Sequence, residues 1–167
     1  LSGKGIAVPD GFALTADAYW LFIDYNNFRD KLNKILAALD TTNFSNLSNT
    51  GTACRELIMS GGMPDELSIK IKEGYDFLIN KYDDDISFAA RSSATAEDLP
   101  NASFAGQQET YLNVQGIDNL LSACHRCYAS LFTDRAIKYR SDNGFEHMKV
   151  ALSVGVQLMV RSDKASS

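Results

Sequence analysis

No run of about 18 consecutive apolar residues occurs in this chain, and its first residues lack a basic segment followed by an apolar stretch and a small-residue cleavage site. Neither a membrane span nor a secretory leader is expected, and the chain reads as cytoplasmic. Basic residues form no run and the formal charge is −5, so general attraction to nucleic acid or to an anionic membrane is excluded. Any anion must be held by a local site. Cysteine is scarce: Cys54, Cys124 and Cys127 make an odd set with no disulfide framework, which fits a reducing compartment. Cys124-His125-Arg126-Cys127 sets two thiols on neighbouring turns of a helix, but no second ligand pair accompanies them, and they read as core-facing or half-buried residues. His125 and His147 have no serine nucleophile or carboxylate at motif spacing, so no triad is expected. The run Asp83 to Asp85 lacks the spacing of a calcium loop and reads as a solvated turn. Gly3-Lys4-Gly5 lacks the Ser or Thr of a Walker lysine and reads as a frayed terminus. Repeats, heptads and low-complexity blocks are absent.

What is present is an ordinary globular composition, 45% apolar and 22% charged in 167 residues. A domain of that size buries roughly 70% of its unfolded surface. A β-branched stretch before Pro9 and a turn at Asp10-Gly11 precede Thr15, where a long helix is expected to start. Its apolar stripe is Ala18, Phe22, Tyr25, Phe28, Leu32, Ile35, Leu36 and Leu39. The Asn/Ser/Thr-rich segment 41–52 reads as a loop or as the capped start of a second helix, which carries Cys54, Leu57, Ile58 and Met59 and ends at Ser60-Gly61-Gly62. Pro64 suits the first turn of a third, with Leu67, Ile71, Tyr75, Leu78 and Tyr82 as its stripe. Ile86 to Arg91 reads as a short strand ending on the arginine, and Glu109 to Val114 as a second. A helix from about Ile117 to Phe132 comes next, then one capped by Thr133 or Asp134 that ends near Gly144. VALSVGVQLMVR is the third strand. Helices first and strands mixed with helices later give an α+β fold class.

The stretch RSSATAEDLPNASFAGQQET carries the chemistry. An arginine at a strand end presents a planar fork of donors that suits a phosphate, and Arg91 reads either as that or as the partner of Glu97 or Asp98. Ser92, Ser93, Ala94, Ala102, Ser103, Ala105 and Gly106 remove bulk where backbone N–H groups could approach an anion. Thr95 with Asp98 also has the form of a capping box, so part of the stretch reads alternatively as the start of a helical turn that Pro100 interrupts. In the last strand, alternation puts Val154, Val156, Leu158 and Val160 on one face and Ser153, Gly155, Gln157, Met159 and Arg161 on the other. The amide of Gln157 either bonds a base or ribose beside the gap at Gly155 or faces solvent.

FAARSSATAEDLPNASFAGQQETYLNV resembles the signature of the phosphoenolpyruvate synthase family, in its N-terminal ATP-binding domain. VPDGFALTADAY, SLFTDRAIKYR and ALSVGVQLMVRSDKASS extend the resemblance over essentially all of residues 1–167. It implies a partial ATP-grasp-type domain, with nucleotide in a cleft between two α+β subdomains. By position it implies that Arg91 contacts phosphate, that Gly106 and Thr110 belong to the phosphate loop, and that Gln157 lies near the nucleotide. Family enzymes cleave ATP to AMP and pass a phosphoryl group, through a histidine on a swivelling domain, to pyruvate on a C-terminal barrel. Neither later domain is present, and neither His125 nor His147 matches the phosphohistidine. The family's glycine-rich lysine motif and its Mg2+ ligands are expected outside residues 1–167, so the fragment alone is expected to be inactive. Pyruvate phosphate dikinase and rifampicin phosphotransferase share much of the motif. A module that binds nucleotide or docks without chemistry of its own is the reading from a different class.

Overall fold

In the computed structural model of the chain, the residues described are 11–82, 86–96 and 109–159. Strand β1, Gly11–Leu14, leads into helix α1, Ala16–Tyr25. The strand is a correction to the turn expected at Asp10-Gly11: Gly11 already belongs to the sheet. The long helix expected from Thr15 is likewise two helices, α1 and α2, Arg29–Ala37. The break has a local cause. Asn27 takes a left-handed conformation with φ 56°, which asparagine tolerates better than most residues. The Asn26 side chain donates to the carbonyls of Phe22 at 2.9 Å and Gly62 at 3.0 Å, and accepts from the Gly62 N–H at 3.1 Å. The chain turns there, so Tyr25 leaves the expected stripe and is exposed, while Phe22, Phe28 and Leu32 are buried.

Helix α3, Leu47–Ser60, and helix α4, Asp65–Lys81, complete the helical first half. Leu67, Ile71 and Leu78 of α4 are buried as the periodicity predicts, whereas Tyr82 lies past the helix and is exposed. Strand β2, Ser87–Ala96, is followed by β3, Thr110–Val114, and α5, Ile117–Ala129. A 3-10 turn over Ser130–Phe132 separates α5 from α6, Asp134–Asp142, whose first turn is capped by Thr133 Oγ1 accepting from the Ala136 N–H at 3.1 Å. Strand β4, Val150–Met159, closes the described chain.

The sheet order is β1-β4-β2-β3 and each neighbouring pair is antiparallel. Successive side chains point to opposite faces. Leu14, Phe88, Ala90, Ala94, Leu152, Val154 and Val156 therefore form one apolar face, which is buried. Helices α1, α4 and α5 pack against the sheet through it. Tyr19, Phe22 and Tyr128 meet between α1 and α5, with ring centroids 5.4 Å and 5.1 Å from Tyr128. Cys54, Cys124 and Cys127 are free thiols within this core, as their spacing suggested. The architecture is the expected α+β one. No helix of the described residues is long and apolar enough to cross a membrane.

Candidate functional site

The second face of the sheet carries three of the residues singled out from sequence, Arg91, Thr110 and Gln157. Ladder registers place Ala13 opposite Gly155, Gly155 opposite Arg91, and Arg91 opposite Thr110, one continuous row across all four strands. The neighbouring row contains Gly11, Gln157 and Ala89. Strands lie about 4.8 Å apart and alternate residues about 7 Å apart along a strand. Arg91, Thr110 and Gln157 thus share one patch. Arg91, Thr110 and Ala13 are exposed and Gln157 is half-buried.

Two of the expectations about this stretch change. Arg91 is in the middle of β2, not at its end, because Ser92 to Ala96 continue the ladder opposite Val154 to Val150. Thr95, paired with Ala151, starts no helical turn, so the capping-box reading is overturned. Sheet pairing outweighs the weak turn preference of small polar residues. Ser92 has a structural role: it is buried, and its Oγ accepts from the Glu109 N–H at 2.8 Å while its own N–H donates to the Glu109 carbonyl at 2.9 Å. This clamp brings β3 back beside β2 and sets Thr110 against Arg91. Thr110 is accordingly the first residue of a strand. Beyond it the register shifts, with Phe88 paired to Val114 but Ala90 to Tyr111, and Asn113 at φ 58° takes up the extra residue. Gly106 lies outside the described residues, as do Glu97 and Asp98, Gly3 to Gly5, and Asp83 to Asp85.

Arg91 carries a permanent charge and, among the described residues, forms no ion pair. With Thr110 as a hydroxyl and Gln157 as an amide, the patch offers a fork of charged donors and two adaptable polar groups over a floor of Ala and Gly. That set suits a phosphorylated ligand with polar substituents. It contains no nucleophile beside a base. Among the described residues no group of three or more His, Cys, Asp or Glu could hold a metal ion.

The histidines lie away from this face. His125 Nε2 is 2.7 Å from the Ile58 carbonyl and its ring sits 5.3 Å from that of Phe22, which fixes it within the helical layer. His147 has a neighbour that spacing did not reveal, since Ser141 Oγ lies 3.3 Å from its Nε2. On its other side Arg140 Nε donates to Nδ1 at 3.0 Å. A triad places a carboxylate there to stabilise the imidazolium. A guanidinium does the reverse, and burial followed by Arg140 lowers the His147 pKa to about 4. The pair is a structural one.

Among the described residues, three grooves flank the sheet and helices. One of about 470 Å³ lies between β1, α1 and α4, with Phe12, Leu14 and Leu67 in its wall. One of about 480 Å³ lies between α2 and the segment from Glu146 to Lys149. Thr110 lines the third, about 380 Å³ and mainly polar, together with Asn113, Asn119 and Arg126. Arg91 and Gln157 line none of the three. Among the described residues, the ladder registers are what place Arg91, Thr110 and Gln157 on one face.

The family described as the pyruvate phosphate dikinase AMP/ATP-binding domain matches residues 1–167. The chain is 55% identical to a phosphoenolpyruvate synthase of Aquifex aeolicus over all of its own length and 20% of that protein. Identities of 51% and 50% relate it, again over its whole length, to 21% of the phosphoenolpyruvate synthases of Synechocystis and Escherichia coli. The chain thus spans about a fifth of the length of these curated relatives. An α+β fold and a match to this family over residues 1–167 lead to one conclusion: the chain belongs to the pyruvate phosphate dikinase AMP/ATP-binding domain family.

Proposed function

We propose that this chain forms one wall of the ATP site of a phosphoenolpyruvate synthase. The observation that carries the reading is the row Gly155–Arg91–Thr110 with Gln157 beside it on the open face of the sheet. Arg91 binds and compensates the polyphosphate, its planar fork suiting two oxygens at once. Thr110, held opposite it by the Ser92 clamp, contributes a hydroxyl to the same phosphates, and the family resemblance assigns Gly106 to the phosphate contacts as well. Gln157, one row away, orients the ribose or base through its amide.

Magnesium does not fit the residues of this face, which carries Arg, Thr, Gln, Ala and Gly and no carboxylate at the paired positions. Its ligands are assigned to a part of the full-length protein outside this chain, as are the phosphohistidine and the pyruvate site. The chain's share of the reaction is to hold and neutralise the nucleotide, which is a large part of what a protein contributes to phosphoryl transfer. We place the full-length protein in the cytoplasm, where ATP and pyruvate are both available.

The test is made on the full-length protein, with ATP and pyruvate supplied together while AMP, orthophosphate and pyrophosphate are followed separately. AMP and orthophosphate formed in proportion to pyruvate consumed are the expected result. Pyruvate-dependent AMP accompanied by pyrophosphate, with orthophosphate consumed, would overturn the synthase reading in favour of a dikinase, and ATP consumption indifferent to pyruvate would move the acceptor toward that of an antibiotic phosphotransferase. No ATP consumption and no ATP binding would favour a docking module.

A further inference from the structure

Gly155 sits in the interior of the ten-residue strand β4, between β1 and β2, and is flanked by the fully buried Val154 and Val156. Glycine weakens such a strand, since it gives up conformational freedom and packs no side chain. Its usual justifications are missing. Its φ is not in the left-handed region, which among the described glycines is taken by Gly116 and Gly144. The ladders continue through it without a shift, pairing it with Ala13 on one side and Arg91 on the other, so it is not at a bulge.

Crowding by the described residues does not explain it either. A Cβ on Gly11 would come within 2.1 Å of the Val156 carbonyl oxygen, and one on Gly74 within 2.6 Å of the Phe12 ring, whereas among the described residues one on Gly155 would meet nothing within 4 Å. The described residues leave room for a side chain here, and there is none. The remaining reason for glycine inside a strand is that something outside the fold comes close to the backbone. Directly beside the gap is Arg91, the cation of the proposed phosphate contact, and one row along the same strand is Gln157.

We propose that the bare Cα of Gly155 is a positioning surface of the nucleotide site: the ribose and α-phosphate of ATP rest on it while Arg91 takes the outer phosphates and Gln157 the nucleoside. The inference rests on the ATP reading above and deepens it. A β-carbon at this position would lift the nucleotide off the sheet and out of reach of both side chains together, without disturbing the fold.

The experiment compares Gly155→Ala, Gly155→Val and Arg91→Ala with the unmodified full-length protein, measuring the thermal midpoint without nucleotide and the ATP dissociation constant by titration calorimetry. The expected result is a midpoint unchanged or raised for both Gly155 variants. The ATP dissociation constant rises on the order of tenfold or more for valine, the scale on which a misplaced methyl group discriminates in a binding site, with alanine in between. If Arg91→Ala weakens ATP binding and Gly155→Val does not, the role of Gly155 is overturned and the ATP reading stands. If no variant changes ATP binding, the nucleotide reading of this face fails and takes the inference with it. A midpoint lowered in both Gly155 variants would show that the space above the residue is filled by the protein itself, and would overturn the inference on structural grounds.

Discussion

Arg140 Nε donates to His147 Nδ1 at 3.0 Å, a contact between α6 and the turn that leads into β4. Burial, then the nearby guanidinium, holds the imidazole neutral by lowering its pKa from 6.5 to about 4. The unfolded chain therefore binds a proton on His147 at pH values where the folded chain does not, and stability rises with pH across that window. The contribution is complete above about pH 6.5, falls as the pH drops toward 4 and changes no further below it. Thermal midpoints followed from pH 7.5 to 4 in the unmodified protein and in His147→Gln are expected to differ in slope between those two values, the variant being flatter. Parallel curves would remove this role.

Arg140 is fully buried, and among the described residues neither Nη1 nor Nη2 has a hydrogen-bond partner. Its guanidinium lies 5.6 Å from the centroid of the Phe132 ring, and burial depresses its pKa to about 10. A buried charge with unmade hydrogen bonds stabilises little, while its bulk fills core volume. Arg140→Met keeps most of that volume and sheds the desolvation cost. It is expected to be at least about 2 kcal/mol more stable than Arg140→Ala, which leaves a cavity. Chemical denaturation of the two variants decides it; equal stabilities would mean that volume is not what Arg140 supplies.

Burial pushes the Cys54 thiol up to about 11 and those of Cys124 and Cys127 up to about 12. The thiolate is the reactive form, so all three are expected to resist alkylation at neutral pH until the protein unfolds. Peptide mapping after brief iodoacetamide treatment, native against denatured, reads this directly. Rapid native labelling at Cys124 and Cys127 would reopen a redox role for that pair.

Phe12 packs on the bare backbone of Gly74, joining β1 to α4. Alanine suits a helix interior better by up to about 1 kcal/mol, but its Cβ would meet a rigid ring and force overpacking worth about 1–3 kcal/mol. Gly74→Ala is thus expected to lower the thermal midpoint despite its higher helix propensity, and Phe12→Leu in the same chain to restore part of the loss. A stabilised Gly74→Ala would show that β1 shifts freely.

An exposed arginine contributes little to the fold, so Arg91→Ala is expected to leave the folding stability within about half a kcal/mol of the parent. A bidentate arginine–phosphate contact is worth about 1.5–3 kcal/mol net, so ATP affinity is expected to fall by about one to two decades. Arg91→Lys keeps the charge but not the fork and is expected to recover only part of it. Unaltered ATP binding in both variants of the full-length protein would remove Arg91 from the site.

Periodicity by itself determined most of the elements. Apolar residues three and four apart mark α3, α4 and α5, Thr133 marks the start of α6, and alternation from Val150 sorts β4 into a buried and an open face. These are local signals, written in residues close in sequence. The family was legible for a different reason: a long unbroken run of specific residues around Arg91 cannot arise from the general pattern of an α+β domain.

Tertiary structure decided what depends on distant partners. The break between α1 and α2 needs Gly62 to hold Asn26, and nothing in the apolar stripe from Ala18 to Leu39 foretells that contact. Ser92 to Ala96 look like loop residues until β4 supplies ten paired positions opposite β2, and the hydrogen bonds of that ladder outweigh the local preference for a turn. Strand β1 exists because Val154 to Gln157 offer an edge for Gly11 to Leu14. The row that aligns Ala13, Gly155, Arg91 and Thr110 is the product of three registers, each set by which face of each strand the core requires to be buried. Sequence named Arg91, Thr110 and Gln157; burial of the opposite face is what set these three on one side of the sheet.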